Sequence, residues 1–350
     1  MAAAPGVAEV VLPCIDLAST LQFFTDRLGF RVEVVFPADD PRVAVLSGHG
    51  TRIRLDPDAS GDPGVVRLVV DDRTGEEIAP NGTRIVWGSD AMVLPDVVPS
   101  FTITRAGDDW GVGRAGMEYR DLISDRLGGR FIASHIRIAE GGPVPDWVHF
   151  HEIRFQLIVV RRGWVEVVYE DQGDPFVMEA GDCVLQPPEI RHRVLRSSDG
   201  LEVIEIGCPA EHRTVADHDL ALPTDVVDAS RDFGGQRFVR HVSSDRDGQT
   251  EPWRHGGFDA VETDIGDATD GLAGVRFVRP GAGGPVVPST HAGEFAFGFV
   301  LDGAVTVVVD GEEHRLASGD CVTVPAGLEH AWTDPTADLH LLDVTLPAHL

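Results

Sequence analysis

The sequence predicts a mainly β protein in which a small α+β module is followed by two copies of one β-rich unit, each a jelly roll or barrel. After residue 130, helical periodicity is almost absent, and β-branched runs with alternating polarity stand between Gly, Pro and Asp residues. The same part of the chain contains an internal repeat. Many short strands in a unit of about 100 residues favour a jelly roll or barrel over a parallel α/β sheet.

Residues 1–75 are predicted to form a βαβββ module. Val7 to Leu12 is typical of an apolar strand, and Asp16 is placed to cap a helix over Leu17 to Leu28 that Gly29 ends. Three further strands are expected, over Phe30–Phe36, Val43–Leu46 and Thr51–Leu55. The stretch after them, residues 76–114, is rich in Gly and Asp and is interpreted as a linker that also contributes to packing.

The repeat defines the two β-rich units. Gly181 to His192 (GDCVLQPPEIRH) matches Gly319 to His330 (GDCVTVPAGLEH) at an offset of 138 residues. Upstream, residues 151–163 match residues 291–303 at an offset of 140. The offset therefore changes by two residues between the two matching segments, in a turn. The two copies are therefore predicted at residues 115–225 and 226–350.

Composition and charge exclude several classes of function. The 350 residues carry a formal net charge of −28, which repels nucleic acid and anionic membranes, so a small molecule is the expected partner. All 29 basic residues are arginine, which excludes a lysine Schiff base, a pyridoxal aldimine and a P-loop lysine. Four scattered cysteines and a start without a secretion signal predict reduced, mostly buried thiols and a cytoplasmic protein.

Three histidines stand at a spacing that predicts a metal site. Residues i and i+2 of a strand point to the same face, so His149 and His151 can direct both imidazoles into the barrel. His192 follows the Pro187-Pro188 turn on a separate hairpin, and closing the barrel brings it opposite that pair. Three imidazoles suit one divalent Fe, Mn, Cu, Ni or Zn ion. Position 156 lies an odd number of residues after His151, so on a regular strand its side chain points to the opposite face. It reaches the interior only through a bulge or bend.

These residues resemble the two sequence motifs of the cupin superfamily, here Gly142-x6-His149-x-His151-x4-Gln156-x6-Gly163 and Gly181-x5-Pro187-x4-His192. From about residue 115 to residue 350 the chain is similar to a two-cupin protein, with two double-stranded β-helix barrels. The resemblance implies that His149, His151, position 156 and His192 bind the metal. Two positions depart from the family pattern, Gln156 in place of Glu and Glu189 in place of Gly. Because glutamine is neutral, the ion keeps its full charge, which makes it a stronger Lewis acid and weakens its binding.

The second copy retains only part of this motif. Ser289 aligns with His149 and Ala296 with Gln156, whereas His291 and His330 are kept. A weak second metal site would need an oxygen from Glu294 on a bulged strand. The alternative is a degenerate barrel that serves packing or a substrate pocket.

The N-terminal module resembles one module of the vicinal oxygen chelate (glyoxalase-like) superfamily. The resemblance rests on Glu9 to Asp16 (EVVLPCID), followed by the helix that reaches Leu28-Gly29-Phe30. It implies a ligand at Glu9, but Arg54 stands where the family has a second, glutamate ligand. A structural, dimerisation or lid role is therefore expected for this module.

Three functions are consistent with these residues. The first is a mononuclear Fe(II)-type dioxygenase of a small organic substrate that chelates the ion, with Arg154 or His135 orienting an anionic substrate. The second is a metal-dependent isomerase, lyase or hydrolase that uses no oxygen. The third is a non-enzymatic small-molecule binder, and a homodimer is left open in each case.

Overall fold

The computed structural model describes residues 6–107, 109–113, 116–246, 248–282 and 284–350. The chain divides into two compact units, Met1–Ala91 and Met92–Leu350. The boundary expected after residue 75 is therefore moved to residue 91. No helix within the described ranges is long and apolar enough to cross a bilayer.

The N-terminal unit contains the predicted βαβββ order. Its strands are β1 (Val10–Pro13), β2 (Arg31–Phe36), β3 (Val43–Gly48), β4 (Thr51–Asp56), β5 (Val65–Val69), β6 (Gly75–Ile78) and β7 (Arg84–Gly88), and its helix α1 (Leu17–Gln22) continues as a π-helix (Phe23–Arg27). The Asp16 carboxylate accepts a hydrogen bond from the Ser19 backbone N–H at 3.1 Å and so begins the helix. One sheet has the order β1-β4-β3-β2 and a second has the order β5-β7-β6. Because β6 and β7 form the second sheet, residues 76–91 are not a linker.

The first part of the larger unit contains sixteen strands and one helical turn. They are β8 (Thr102–Thr104), β9 (Gly111–Val112), β10 (Glu118–Asp121), α2 (Arg126–Gly129), β11 (Ile132–Ile138), β12 (Gly142–Pro143), β13 (His149–Glu152), β14 (Phe155–Arg162), β15 (Trp164–Tyr169), β16 (Phe176–Glu179), β17 (Cys183–Leu185), β18 (His192–Ser197), β19 (Leu201–Cys208), β20 (Arg213–Ala216), β21 (Asp232–Phe233), β22 (Gln236–Arg237) and β23 (Val239–His241) among the described residues. One sheet has the order β23-β17-β14-β19-β11-β10-β9 and another β16-β15-β18-β13-β20. Apolar side chains from both sheets, such as Val160 and Val167, form one core.

The second part repeats this arrangement. Its elements are a 3₁₀ turn (Ser243–Arg246), β24 (Glu251–Pro252), β25 (Phe258–Glu262), α3 (Ile265–Ala268), β26 (Gly274–Pro280), β27 (Phe295–Asp302), β28 (Ala304–Val309), β29 (Glu312–Ala317), β30 (Cys321–Thr323), β31 (His330–Thr333) and β32 (His340–Leu346). One sheet has the order β24-β25-β26-β32-β27-β30-β8 and the other β29-β28-β31. Val300 of the first sheet and Val307 of the second lie in one core.

The two copies exchange a strand with each other. Strand β8 precedes the first copy but pairs with β30 of the second, and β23 precedes the second copy but pairs with β17 of the first. Asp320 accepts a hydrogen bond from the backbone N–H of Ala106, and Asp182 accepts the matching one from Ser243. The division predicted after residue 225 stays a prediction, and the strand exchange links the two copies across it.

A shared apolar core joins the copies. Phe131 of the first copy stacks on Phe295 of the second with ring centroids 4.1 Å apart. Leu157 and Ile206 lie in the same buried cluster as Val344. All four cysteines of the chain are buried free thiols, as the sequence predicts.

Candidate metal centre

Three imidazoles meet in the first copy. His149 on β13 pairs with His192 on β18 in antiparallel register, and His151 lies two residues further along β13. The ring centroids of His149 and His192 are 4.4 Å apart, and His151 lies 5.2 Å from His149 and 5.3 Å from His192. Each histidine presents one nitrogen, and the three nitrogens lie within 4.8 Å of one another. This is the one His, Cys, Asp and Glu group of that compactness among the described residues.

The hydrogen bonds of these rings fit a metal at their centre. His149 Nδ1 bonds the Trp147 carbonyl oxygen at 2.8 Å and His192 Nδ1 bonds the Ile190 carbonyl oxygen at 3.0 Å. His151 Nδ1 lies 2.9 Å from Thr214 Oγ1. A carbonyl accepts only from an N–H, so Nδ1 carries the proton in His149 and His192 and Nε2 carries the lone pair. Such outward bonds orient metal-binding histidines.

Gln156 also points into the barrel interior, because the chain bends between His151 and Gln156. Strand β13 ends at Glu152 and β14 begins at Phe155, so two residues outside both strands reset the alternation. The Gln156 side chain is buried, and its Nε2 donates to Glu205 Oε1 at 2.6 Å. A carboxylate only accepts hydrogen bonds, so this contact fixes the amide and leaves its carbonyl oxygen for a ligand.

The imidazoles and Gln156 line a cavity of about 350 Å³. Most of its wall is aliphatic, with side chains such as Ile132, Ile136, Ile158, Val165, Met178 and Val203. Its polar groups include Tyr169, Gln186, Glu205, His212 and Thr214. An apolar cavity with a few converging polar groups is typical of a small-molecule site.

Sequence reasoning missed all five of these polar residues, including three that lie against the histidines or Gln156. Glu205 lies on β19, 49 residues from the amide that it contacts. Tyr169 stacks on His192 with ring centroids 5.4 Å apart, and burial, followed by the charge of Glu205, raises the pKa of its phenol. The ring of His212 lies 5.3 Å from that of His151. The repeat was a usable signal for Glu205, because Asp343 stands 138 residues later at the matching position.

The two residues predicted to orient substrate do not line this cavity. His135 is buried in an ion network, where Nε2 bonds Glu202 at 2.8 Å and Arg120 donates to Nδ1 at 3.1 Å. Arg154 donates to Glu294 at 2.6 Å. The prediction relied on closeness in sequence and is corrected, because the side chains at these positions point away from the barrel interior to carboxylates elsewhere.

Glu202 is expected to make stability fall in acid. The hydrogen bond from His135, with the charge of Arg161, lowers the pKa of this carboxyl to about 2. A carboxyl whose pKa is lower in the folded than in the unfolded protein stabilises the fold at every pH above its unfolded-state pKa. This contribution to the free energy of unfolding is lost as the pH falls through the folded-state pKa of about 2. We expect Glu202→Gln to lose about 3 kcal/mol at pH 7 and to flatten the decline between about pH 5 and pH 2.

Chemical denaturation at a series of pH values measures this effect. Glu166→Gln is the matched control, because Glu166 pairs with Arg196 at the surface and should leave the profile close to wild type. An unchanged acid profile in Glu202→Gln would contradict the assignment.

Part of the sequence matches a model of a known protein family. Residues 275–345 match the family model described as Cupin domain. The sequence matches no curated protein. The match falls on the second copy, whereas the three-histidine site lies in the first.

Several solved structures have a fold similar to that of this chain. Protein Ylba from E. coli is 12% identical, with a TM-score of 0.53, over 74% of this chain and 96% of that chain. A mutant of salicylate 1,2-dioxygenase from Pseudoaminobacter salicylatoxidans is 18% identical, with a TM-score of 0.53, over 73% of this chain and 86% of that chain. Another mutant of that dioxygenase, in complex with gentisate, is 20% identical, with a TM-score of 0.52, over 72% and 83%. Likeness at this identity shows a shared fold.

Among the described residues of the second copy, Glu294 and His291, which the sequence suggested for a weak second metal site, have other partners. Glu294, the expected oxygen donor, instead accepts from Arg130 and Arg154, at 2.8 and 2.6 Å. His291 Nε2 bonds the Val324 carbonyl oxygen at 3.0 Å, so this nitrogen carries the proton. His330 keeps the outward Nδ1 bond, to Leu328.

A guanidinium and two indoles occupy the interior of the second copy. Arg254 donates two hydrogen bonds to the buried Asp343, the residue that matches Glu205. Burial, followed by the charge of Arg254, lowers the pKa of His255 to about 3. Burial also lowers the pKa of His291 and His330, and the charge of Arg254 adds to this effect. Trp332 stands where the first copy has Val194, and it packs on Trp253 with ring centroids 5.5 Å apart. Trp253 and Arg254 thus contact the carboxylate that matches Glu205, and Trp332 packs on Trp253.

Glu9, the N-terminal residue implied as a ligand, forms an ion pair, and so does Arg54, which stands at the other ligand position of that family. Glu9 accepts from Arg52 at 2.8 Å, and Arg54 donates to Asp56 at 2.8 Å. The compact histidine group of the described chain lies elsewhere.

Proposed function

We propose that this chain is a metal-dependent cupin enzyme that binds one divalent ion, with Fe(II) favoured, and acts as a dioxygenase on a small organic chelator. His149, His151 and His192 would hold the ion, and Gln156 would add its carbonyl oxygen. The observation that carries the proposal is the convergence of three outwardly anchored imidazoles at an apolar cavity. The fold shared with salicylate 1,2-dioxygenase supports the choice of reaction class.

The chain's own residues prepare the site for such a substrate. When bound, the ion would supply Lewis-acid activation of the substrate oxygens and a position for O₂. The aliphatic walls exclude water, which strengthens every polar contact inside. Tyr169 stays protonated because its pKa is raised, so its hydroxyl is a neutral hydrogen-bond donor. Glu205 orients Gln156 by accepting from its amide.

Oxygen uptake tests the dioxygenase. Fe(II)-loaded protein is given a panel of catechols and β-diketones in an oxygen electrode, and one O₂ is expected to disappear with each substrate consumed. Substrate loss at the same rate under nitrogen would overturn the dioxygenase.

That outcome would favour the second candidate, a Lewis-acid isomerase, lyase or hydrolase. The specific observation behind it is Gln156, because a neutral fourth ligand leaves the full charge on the ion. Ligand binding without metal and without turnover would favour a non-enzymatic binder. The two-barrel architecture, the glyoxalase-like identity of the N-terminal module, a homodimer and a cytoplasmic location stay predictions.

Filling the cavity is expected to separate metal binding from substrate binding. Val194→Trp copies the residue that the second copy carries at the matching position, Trp332. We expect the metal content to stay near one per chain while turnover falls by about 100-fold, because the indole displaces the substrate. Metal analysis and oxygen uptake on the same sample measure both quantities. Val194→Ala is the control that enlarges the cavity, and full turnover in Val194→Trp would place the substrate elsewhere.

A further inference from the structure

The cavity of the first copy has an unusual charge distribution for a site beside a metal. Its described lining includes the carboxylates Asp146 and Glu205 and no arginine, and the chain has no lysine. The remaining wall is largely aliphatic. An anionic group placed against this wall, away from the metal position, would lose its hydration and find neither an arginine nor a lysine as a partner.

Three arginines on or next to the surrounding strands are paired with carboxylates outside the cavity. Arg161 on β14 pairs with Glu202, and Arg137 on β11 pairs with Glu118 at 2.8 Å. Arg154, between β13 and β14, pairs with Glu294. Recruiting any of them for a substrate carboxylate would require breaking an existing ion pair.

The second copy provides an internal comparison for Glu205. Its equivalent, Asp343, is neutralised inside the protein by the guanidinium of Arg254. The hydrogen bond that Glu205 accepts comes from the neutral amide of Gln156. The first copy therefore keeps a carboxylate charge that a bound cation can balance and that repels a second anion.

Resting on the proposed function, we infer that the substrate carries its chelating oxygens at one end of an uncharged, apolar body. A carboxylate on that body is rejected by the wall and by Glu205. This specificity differs from that of a site that accepts a hydroxybenzoate such as gentisate, which is the ligand in several of the similar structures.

A matched pair of ligands tests this inference. 4-Methylcatechol and 3,4-dihydroxybenzoate present the same two hydroxyls, and they differ by a methyl or a carboxylate at one ring position. Calorimetry under nitrogen with Co(II)-loaded protein gives both affinities, and the visible Co(II) spectrum reports whether each ligand reaches the ion. We expect 4-methylcatechol to bind at least about tenfold more tightly. Glu205→Gln should narrow this difference by improving the binding of the carboxylate.

The outcomes separate the inference from the proposed function. Equal or tighter binding of 3,4-dihydroxybenzoate, or binding of neither ligand to protein with one metal per chain, overturns the inference and leaves the metal site in place. Protein that takes up no metal overturns the proposed function. In that case the chelating part of the inference falls with it, and p-cresol and 4-hydroxybenzoate are compared on metal-free protein, where preference for p-cresol supports the rejection of a carboxylate and its absence overturns it.

Discussion

His192→Ala is expected to lower the metal content from about one ion per chain to below about 0.1, with at least a 100-fold loss of affinity. Loss of a group that only orients a ligand already costs about 10- to 100-fold, and removing a ligand itself costs more. The variant should also lose the increase in melting temperature that saturating metal gives wild type, because the ion stabilises only the folded site. Elemental analysis of protein purified without chelators measures the first effect, and thermal denaturation with and without added metal measures the second.

The matched control for this variant lies in the second copy. His330 occupies the position equivalent to His192 and keeps the same outward Nδ1 bond, but its partner His291 uses Nε2 on a carbonyl oxygen. His330→Ala should therefore leave the metal content unchanged. If wild type binds two ions per chain and His330→Ala binds one, the second copy also contains a metal site. A His192→Ala protein that retains its metal would contradict the site proposed here.

Arg254→Ala is expected to destabilise the larger unit by about 3 kcal/mol, because it removes the main counter-charge of a buried carboxylate. Asp343 is 2% exposed, and Arg254 gives it a bidentate contact. Trp253 Nε1 donates to the same carboxylate at 3.1 Å, and Arg276 lies 3.8 Å away, so part of the stabilisation remains. The free energy of unfolding from urea titration measures the loss.

Two further variants make this prediction specific. Arg254→Ala with Asp343→Asn should recover most of the stability, because the double variant has no unpaired buried charge. Arg196→Ala breaks a surface pair with Glu166 and should remain close to wild type. If the double variant is as unstable as Arg254→Ala, the effect comes from lost packing of the arginine and not from charge.

The departure at position 156 has a structural counterpart. The sequence has a neutral glutamine where the family that it resembles has a carboxylate, and in the structure Gln156 donates a hydrogen bond to Glu205. The negative charge is therefore present near the site, but it comes from β19 instead of β14. Glu205 is not among the three residues whose ligand atoms cluster, so its effect on a bound ion would be exerted through Gln156 and through space.

Local patterns were sufficient for the β class, the repeat and the convergence of three histidines. Strand alternation places residues two apart on one face, and a repeat at constant offset requires the same chain path twice. The bend before Gln156 also followed from parity alone. The N-terminal βαβββ order followed in the same way from a capped helix between apolar strands.

The tertiary structure decided which polar residues meet. His135 and Arg154 lie near the histidine motif in sequence, yet they bind Glu202 and Glu294. Because Glu294 pairs with Arg154, its carboxylate is not directed to a metal site in the second copy. The exchange of β8 and β23 between copies, and the pairing of Arg254 with Asp343 across 89 residues, have no local signature. The sequence alone determines side-chain alternation along each strand, whereas the partner of a buried charge depends on which strands become neighbours, and that is fixed only when the sheets close.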